Sequence, residues 1–195
     1  MRARRLAVGV VVLTLGLAAT APAQELSVAV SGGTFSPGGT AYRDVYGAGS
    51  AIAGELLFKL RGPFGIATGF TRVADEGLAV PLDGGDEEYP LEFSRTTVPV
   101  VLFYQFDIRK IDIRLGAGVG IHSFEETWTT VDIAYKDHKV STRFALDVAV
   151  EVLSRVSVFG SARYDSIRTG VRSPLAVDVN LGGVLILGGL SFRII

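Results

Sequence analysis

The sequence predicts an all-β protein, and more specifically an eight-stranded antiparallel up-and-down transmembrane β-barrel. Residues 111–122 alternate between apolar and polar side chains without a break, as a strand with one oily and one polar face does. The segment is as long as the roughly 9–11 residues with which a tilted strand crosses a bilayer. Several further segments have the same character, and an export signal precedes them.

The first residues have the pattern of a secretory signal peptide. Arg2, Arg4 and Arg5 provide the positive region, residues 6–19 the apolar region, and 21–23 the small residues of a cleavage site. A transmembrane anchor is the alternative, but the apolar region is short and ends in small residues. We therefore expect residues 1–23 to be cleaved and 24–195 to form one barrel domain.

Clusters of Gly, Asp, Asn and Pro divide the rest of the chain into eight extended segments. The predicted strands are 25–35, 48–61, 64–74, 91–106, 111–128, 139–153, 155–166 and 176–195. The alternation slips at Gly182-Gly183, which predicts a bulge there. Connections of two to four residues alternate with longer polar ones at 36–47, 75–90, 129–138 and 167–175. Short turns at one rim and long loops at the other are typical of bacterial outer-membrane barrels.

The composition of the two strand faces indicates which one lies outside. The polar face mixes Gly and Ala with charges, which suits the narrow interior of an eight-stranded barrel, and the other face is rich in Val, Ile and Leu. A soluble barrel of the lipocalin type would have the opposite orientation. Aromatic residues near the strand ends are predicted to form interfacial girdles: Phe58, Phe64, Tyr104, Phe106 and Phe192 at one end, Tyr46, Phe70, Trp128 and Tyr164 at the other.

The polar face predicts a charge network in the lumen. Its members are Glu55, Lys59, Asp112, Arg114, Arg143, Asp147, Glu151, Arg163 and Asp165. Four are basic and five acidic, and buried charges are costly unless paired, so salt bridges are expected to fill the lumen. Arg114 and Arg143 lie on neighbouring strands, and Glu55 could reach an arginine across the barrel. A gated channel or proton path is the alternative interpretation.

The arrangement resembles the OmpX/OmpA-like outer-membrane β-barrel superfamily over the whole predicted mature chain. Residues 35–37, 46–50 and 54–55 look like the first hairpin of that group. The resemblance implies a cell outer-membrane location, contact with outer-membrane lipid and lipopolysaccharide, and insertion by the barrel assembly machinery. Such barrels usually end on an aromatic residue, whereas this sequence ends on Ile195. We expect a monomer.

The sequence gives little support to catalysis or metal binding. His122 and Ser123 are adjacent and so point to opposite faces of a strand, while His138 falls in a predicted loop. No nucleophile and base pair is evident, so no catalytic residue is predicted, although some eight-stranded barrels modify lipid A. Two scattered histidines and no cysteine predict no metal site and no cofactor. The acidic run 83–88 lacks the spacing of a calcium loop and is interpreted as a solvated loop.

Charge and architecture together favour a structural or adhesive role on the cell surface. Without the signal, 16 Lys and Arg face 20 Asp and Glu, a net charge near −4 that gives no reason to expect nucleic-acid binding. The four long loops would be the exposed surface. The alternatives are a small channel or transporter of hydrophobic molecules and, less favoured, a lipid A-modifying enzyme.

Overall fold

The computed structural model describes residues 25–79, 89–128, 133–167 and 181–195. The strands are β1 (Glu25–Pro37), β2 (Gly49–Lys59), β3 (Phe64–Ala79), β4 (Tyr89–Ile108), β5 (Ile111–Trp128), β6 (Ile133–Leu153), β7 (Val156–Ser166) and β8 (Gly183–Arg193). A short helix, α1 (Thr40–Tyr46), lies between β1 and β2. No helix in these ranges is long and apolar enough to cross a membrane. The predicted signal peptide and the acidic run 83–88 lie outside the described residues.

The strands form a closed barrel in which each pairs antiparallel with the next and β8 pairs with β1. Backbone hydrogen bonds extend this closure to the end of the chain: the Leu26 amide donates to the Ile195 carbonyl at 3.0 Å, and the Ile194 amide donates to the Leu26 carbonyl at 2.7 Å. The predicted eight-stranded antiparallel up-and-down barrel is confirmed. We call the end with the short turns lower and the end with the longer connections upper.

The barrel is apolar outside and polar inside. Leu102 and Val140 on the outer face are 65% and 66% exposed, whereas Arg143 and Asp165 inside are 1% and 0% exposed. Two buried apolar clusters share the interior with the charges: one at the upper end around Phe35 and Phe93, one lower down around residues such as Phe103. The face assignment made from the sequence is confirmed, and it is the orientation that a transmembrane barrel requires.

The strands differ strongly in length. β3, β4, β5 and β6 have 16, 20, 18 and 21 residues, whereas the other four have 11 to 13. Among the residues that the structure describes, the upper parts of β3–β6 therefore rise beyond the ends of the other strands, and we call this four-stranded extension the wall. The loops predicted at 75–90 and 129–138 are wrong in part, because 75–79, 89–90 and 133–138 are strand. Neither face of these stretches is continuously apolar, so the alternation that marks a membrane strand fades there.

Other predicted details also need correction. The loop 36–47 contains α1, a helix too short to show a sequence period. The bulge predicted at Gly182-Gly183 is wrong: β8 begins at Gly183, and the register shift lies in β6 between Glu151 and Leu153. The part of the last predicted strand at 176–180 lies outside the described residues.

The aromatic girdles are confirmed only in part. Exposed rings are found at Phe64, Phe70, Tyr104, Phe106, Tyr164 and Phe192. Trp128 is partly exposed. Phe58, by contrast, is buried, and Tyr46 belongs to α1, where it packs against interior rings. A residue in a predicted loop cannot be assigned to a face by alternation, which is why Tyr46 was misplaced.

Candidate functional site: the charged barrel interior

A ladder of ion pairs crosses the middle of the lumen. Arg163 of β7 donates from Nη1 and Nη2 to Oε1 and Oε2 of Glu55 on β2, at 2.6 and 2.7 Å. The same guanidinium lies 3.6 Å from Oδ1 of Asp147, whose Oδ2 lies 3.8 Å from Nε of Arg114. Both Arg163 and Asp147 therefore have two oppositely charged neighbours. We call these four residues the ladder.

The lower rim holds looser charges. Lys59 pairs with Asp107 at 3.0 Å, and Arg193 pairs with Glu25 at 3.1 Å. Asp112 and Glu151 line a polar cavity of about 20 Å³ together with Glu25, Arg114 and Arg193. Such a space holds about one water molecule.

A linear chain of hydrogen bonds lies above the ladder. Asp165 of β7 accepts from Nε and Nη2 of Arg143 on β6, at 2.7 Å each, and from the Ser141 hydroxyl at 3.3 Å. Oγ of Ser141 lies 2.7 Å from Nε2 of His122, and Nδ1 of His122 lies 2.9 Å from Oγ1 of Thr97. All five side chains are buried. We call them the upper chain.

The carboxylate of Asp165, at one end of the upper chain, determines which group donates in each of its hydrogen bonds. An ionised carboxylate only accepts, so the Ser141 proton points to Asp165 and the His122 Nε2–H donates to Ser141. Nδ1 is then the acceptor for the Thr97 hydroxyl. In a nucleophilic serine pair the histidine accepts the serine proton instead.

The structure thus contains a pair that the sequence analysis missed. A serine hydroxyl, Ser141, does lie within hydrogen-bond reach of His122, although the expected neighbour Ser123 faces outward as predicted. Both side chains are buried, and the histidine donates to the serine instead of accepting its proton. Across the described residues, no group of three or more His, Cys, Asp or Glu side chains is arranged to hold a metal ion.

Helix α1 forms the roof of the interior. Tyr42 is buried, its ring centroid lies 5.0 Å from that of Phe93 and 6.3 Å from that of Phe35, and its hydroxyl donates to Oδ2 of Asp75 at 2.6 Å. Tyr46 stacks on Tyr42 with a centroid distance of 4.8 Å. Burial, followed by the hydrogen bond to Asp75, raises the pKa of Tyr42, so this phenol stays protonated and remains a donor.

Arg95 is the charge beneath this roof. It is 1% exposed, its guanidinium carbon lies 4.0 Å from the centre of the Phe35 ring, and Nη1 donates to the Leu181 carbonyl at 3.1 Å. Nε and Nη2 of Arg95 and Oδ1 of Asp75 are buried with no hydrogen-bond partner in the described part of the chain. Unpaired buried donors and acceptors are rare, because each costs free energy.

Of the nine residues predicted for the lumen network, six lie in the ladder or the upper chain. Glu55, Arg114, Asp147 and Arg163 form the ladder, and Arg143 and Asp165 anchor the upper chain, while Lys59, Asp112 and Glu151 lie apart near the lower rim. The sequence analysis left Arg95, Asp75 and His122 out of the interior network, although the alternation of 111–122 placed His122 on the inward polar face. The position of Arg95 was predictable, because the alternation of β4 places it on the same inward face as Phe93 and Thr97.

Comparison with solved structures identifies the architecture. The chain is similar to the outer membrane protein OprG from Pseudomonas aeruginosa, at a TM-score of 0.69 and 11% identity over 89% of this chain and 97% of that one. The Neisserial surface protein NspA gives 0.63 and 13% over 86% and 96%. A major outer membrane protein from Thermus thermophilus gives 0.59 and 13% over 87% and 98%.

This protein has the fold of the outer-membrane β-barrels. At identities this low the similarity establishes the architecture alone. No protein-family model matches the sequence, and no curated protein matches it.

Proposed function

We propose that this protein is an outer-membrane barrel with a closed lumen that presents its wall to binding partners on the cell surface. The observation that carries the proposal is the unequal length of the strands. Four of them extend beyond the rim as a paired sheet, and one side edge of that sheet has no strand partner in the described part of the chain.

The outer surface supports a membrane location. Exposed apolar side chains occur on all eight strands, and exposed aromatic residues lie near the lower rim. The ring centroids of Phe64 and Tyr104 are 5.2 Å apart, and those of Tyr104 and Phe106 are 4.7 Å apart. Closure between β1 and β8 satisfies the backbone groups that an open edge would leave unpaired in lipid. Contact with lipid and lipopolysaccharide, insertion by the assembly machinery and a monomeric state are parts of this proposal.

The interior supports a closed lumen. Of the cavities lined by described residues, the two that lie among the interior charges measure about 10 and 20 Å³. The ladder, the upper chain and α1 lie at successive heights along the interior. Nothing in this arrangement requires catalysis, and we include a non-enzymatic role in the proposal.

The free edge supports binding of an extended partner. β6 pairs with β5 over residues 133–150, but its first partner on β7 is Ser166, opposite Thr142. Residues 133–141 therefore present one row of backbone groups without a strand partner in the described ranges. An exposed edge of this kind accepts an additional strand from another chain.

A groove on the same wall offers side-chain contacts. It has a volume of about 530 Å³, is open to solvent, and is lined by residues of β2–β5 and the end of α1. Glu76 and Glu92, which are opposite each other in the β3–β4 register, both line it together with a single arginine, Arg72. Of the two other lining carboxylates, Glu125 pairs with Lys136 at 2.7 Å and Asp75 accepts from Tyr42. This excess of carboxylates favours partners with basic side chains beside their extended segment.

The proposal can be tested with peptide selection on the protein in lipid nanodiscs. Random 12-residue peptides are panned against the parent and against a variant whose β5–β6 hairpin is shortened by replacing residues 125–136 with a two-residue turn. We expect selected peptides to bind the parent alone and to protect amides of 133–141 from hydrogen exchange. Retained heat-dependent gel mobility controls for an intact barrel. Equal binding to both proteins would contradict the proposal.

A transporter of small hydrophobic molecules is the second candidate, because one seam of the barrel is interrupted. The pairing of β3 with β4 is interrupted between Thr68–Val100 and Thr71–Thr97, where Gly69 and Pro99 lie. Proline has no amide hydrogen to donate. Discrete conductance steps in planar bilayers would favour this candidate. A silent bilayer supports the closed lumen.

A further inference from the structure

Helix α1 is short and has no side-chain hydrogen bond at its N-cap. It has seven residues, its N-cap is Gly39, and Gly47 at its C-terminal end adopts a left-handed φ of 68°. Its described side-chain hydrogen bond to a barrel strand at Tyr42 ends on Asp75. Tyr46 adds an interaction with Glu126 on β5. A short helix between glycines, held to the strands at these two tyrosines, can move as a unit.

Two strand glycines make room for the helix and its attachment. A Cβ on Gly49 would overlap Oδ1 of Asp75, and a Cβ on Gly77 would lie 2.7 Å from the ring of Tyr46. The strands beneath α1 are therefore shaped around Asp75 and Tyr46.

In the closed position, two oppositely charged residues on β3 and β4 are only partly hydrogen-bonded. Oδ1 of Asp75 and Nε and Nη2 of Arg95 are buried without hydrogen-bond partners in the described part of the chain. Val73 lies opposite Arg95 and Asp75 lies opposite Phe93 in the β3–β4 register, so Asp75 and Arg95 are diagonal neighbours on the inward face. Arg95 instead rests on the Phe35 ring, and Asp75 holds Tyr42.

We propose that α1 is a displaceable lid over the upper interior, and that Asp75 exchanges partners when it moves. In the closed state Asp75 holds Tyr42, and Arg95 stacks on Phe35. When α1 lifts, Asp75 and Arg95 satisfy each other, which offsets the loss of the tyrosine contacts. Opening uncovers a blind pocket walled by Phe35, Val73 and Phe93, while the ladder below stays closed.

The sequence contains no cysteine, so a single introduced thiol reports on opening. Val73 is 0% exposed and belongs to the apolar cluster that contains Tyr42, which makes Val73→Cys the reporter. Ala149→Cys, in the lower cluster, is the reference. The rate of modification by a small methanethiosulfonate reagent is measured on the folded barrel in detergent.

Two substitutions are expected to change that rate in opposite directions. Tyr42→Phe keeps the ring and removes the hydrogen bond to a charged acceptor, so Val73→Cys should react about ten-fold faster. Arg95→Met removes the partner of the open state, so the reaction should become slower than in the parent. Tyr164→Phe, the same change on an exposed residue of β7, should leave the rate unaltered.

Three results would overturn the proposal. The first is a modification rate at Val73→Cys that rises less than about two-fold in Tyr42→Phe. Such a rise would be smaller than the loss of one hydrogen bond to a charged group should cause. The second is faster modification in both substitutions, which would indicate general loosening. The third is a parallel rise at Ala149→Cys. Opposite effects at Val73→Cys with a constant rate at Ala149→Cys support the exchange.

Discussion

The ladder and the upper chain stabilise the same barrel in different ways. In the ladder, Arg163 lies between Glu55 and Asp147, and Asp147 lies between Arg163 and Arg114, so charges share partners. In the upper chain the contacts run in line from Thr97 through His122 and Ser141 to Asp165. Arg143 makes two hydrogen bonds to Asp165 and, among the described residues, pairs with no second carboxylate. Shared partners compensate for a loss, whereas a linear chain does not. Two matched amide substitutions test this difference.

Asp165→Asn is expected to have the largest effect. It removes the negative charge from a pair whose side chains are 1% and 0% exposed and leaves Arg143 uncompensated. Loss of one partner of a buried ion pair costs about 3–5 kcal/mol of unfolding free energy. Urea unfolding in lipid vesicles, followed by tryptophan fluorescence, measures the loss. A cost below about 1 kcal/mol, the range of an exposed pair, would show that the upper chain tolerates an unpaired arginine.

Glu55→Gln should cost less, about 1–2 kcal/mol, because the ladder retains a second carboxylate beside Arg163 and the amide still accepts one hydrogen bond. Asp147 is already within 3.6 Å of the guanidinium. The same unfolding assay applies, and Glu55→Gln combined with Asp147→Asn should cost more than the two single changes added together. Strict additivity would refute partner sharing.

Asp107→Asn is expected to have the smallest effect, below about 1 kcal/mol, because solvent screens its pair with Lys59 at the lower rim. The side chain of Asp107 is 54% exposed. Raising the salt concentration should reduce even this difference between variant and parent. A loss as large as that in Glu55→Gln would mean that the rim pair is part of the ladder.

Strand alternation predicted most of the barrel and much of its interior. The faces of β5, β6 and β7 follow from a period of two, and so does the inward position of Arg143, Asp147 and Arg163. That Glu55 meets an arginine could be anticipated, but which arginine depends on the relative stagger of β2 and β7. The two partners are 108 residues apart along the chain, so no local pattern contains the information.

The roof could not be predicted in the same way. A seven-residue helix spans about two turns, and its only signal is the four-residue spacing of Tyr42 and Tyr46, which places both rings on one helix face. Asp75 lies in the predicted loop 75–90, where the alternation fades, so its direction depends on knowing that the strand continues, whereas Arg95 lies within the predicted strand 91–106. The Ser141–His122 pair arises from cross-strand register, which adjacent residues cannot show.

Because β8 pairs with β1, no strand of the closed barrel is first or last in space. A rearranged gene that joins residue 195 to residue 25 by a linker and opens the chain at one of the upper connections would preserve all eight strand pairings. The order of synthesis would change and the final shape would not. Insertion of such a permuted protein would show whether assembly in the membrane depends on which strand is synthesised last.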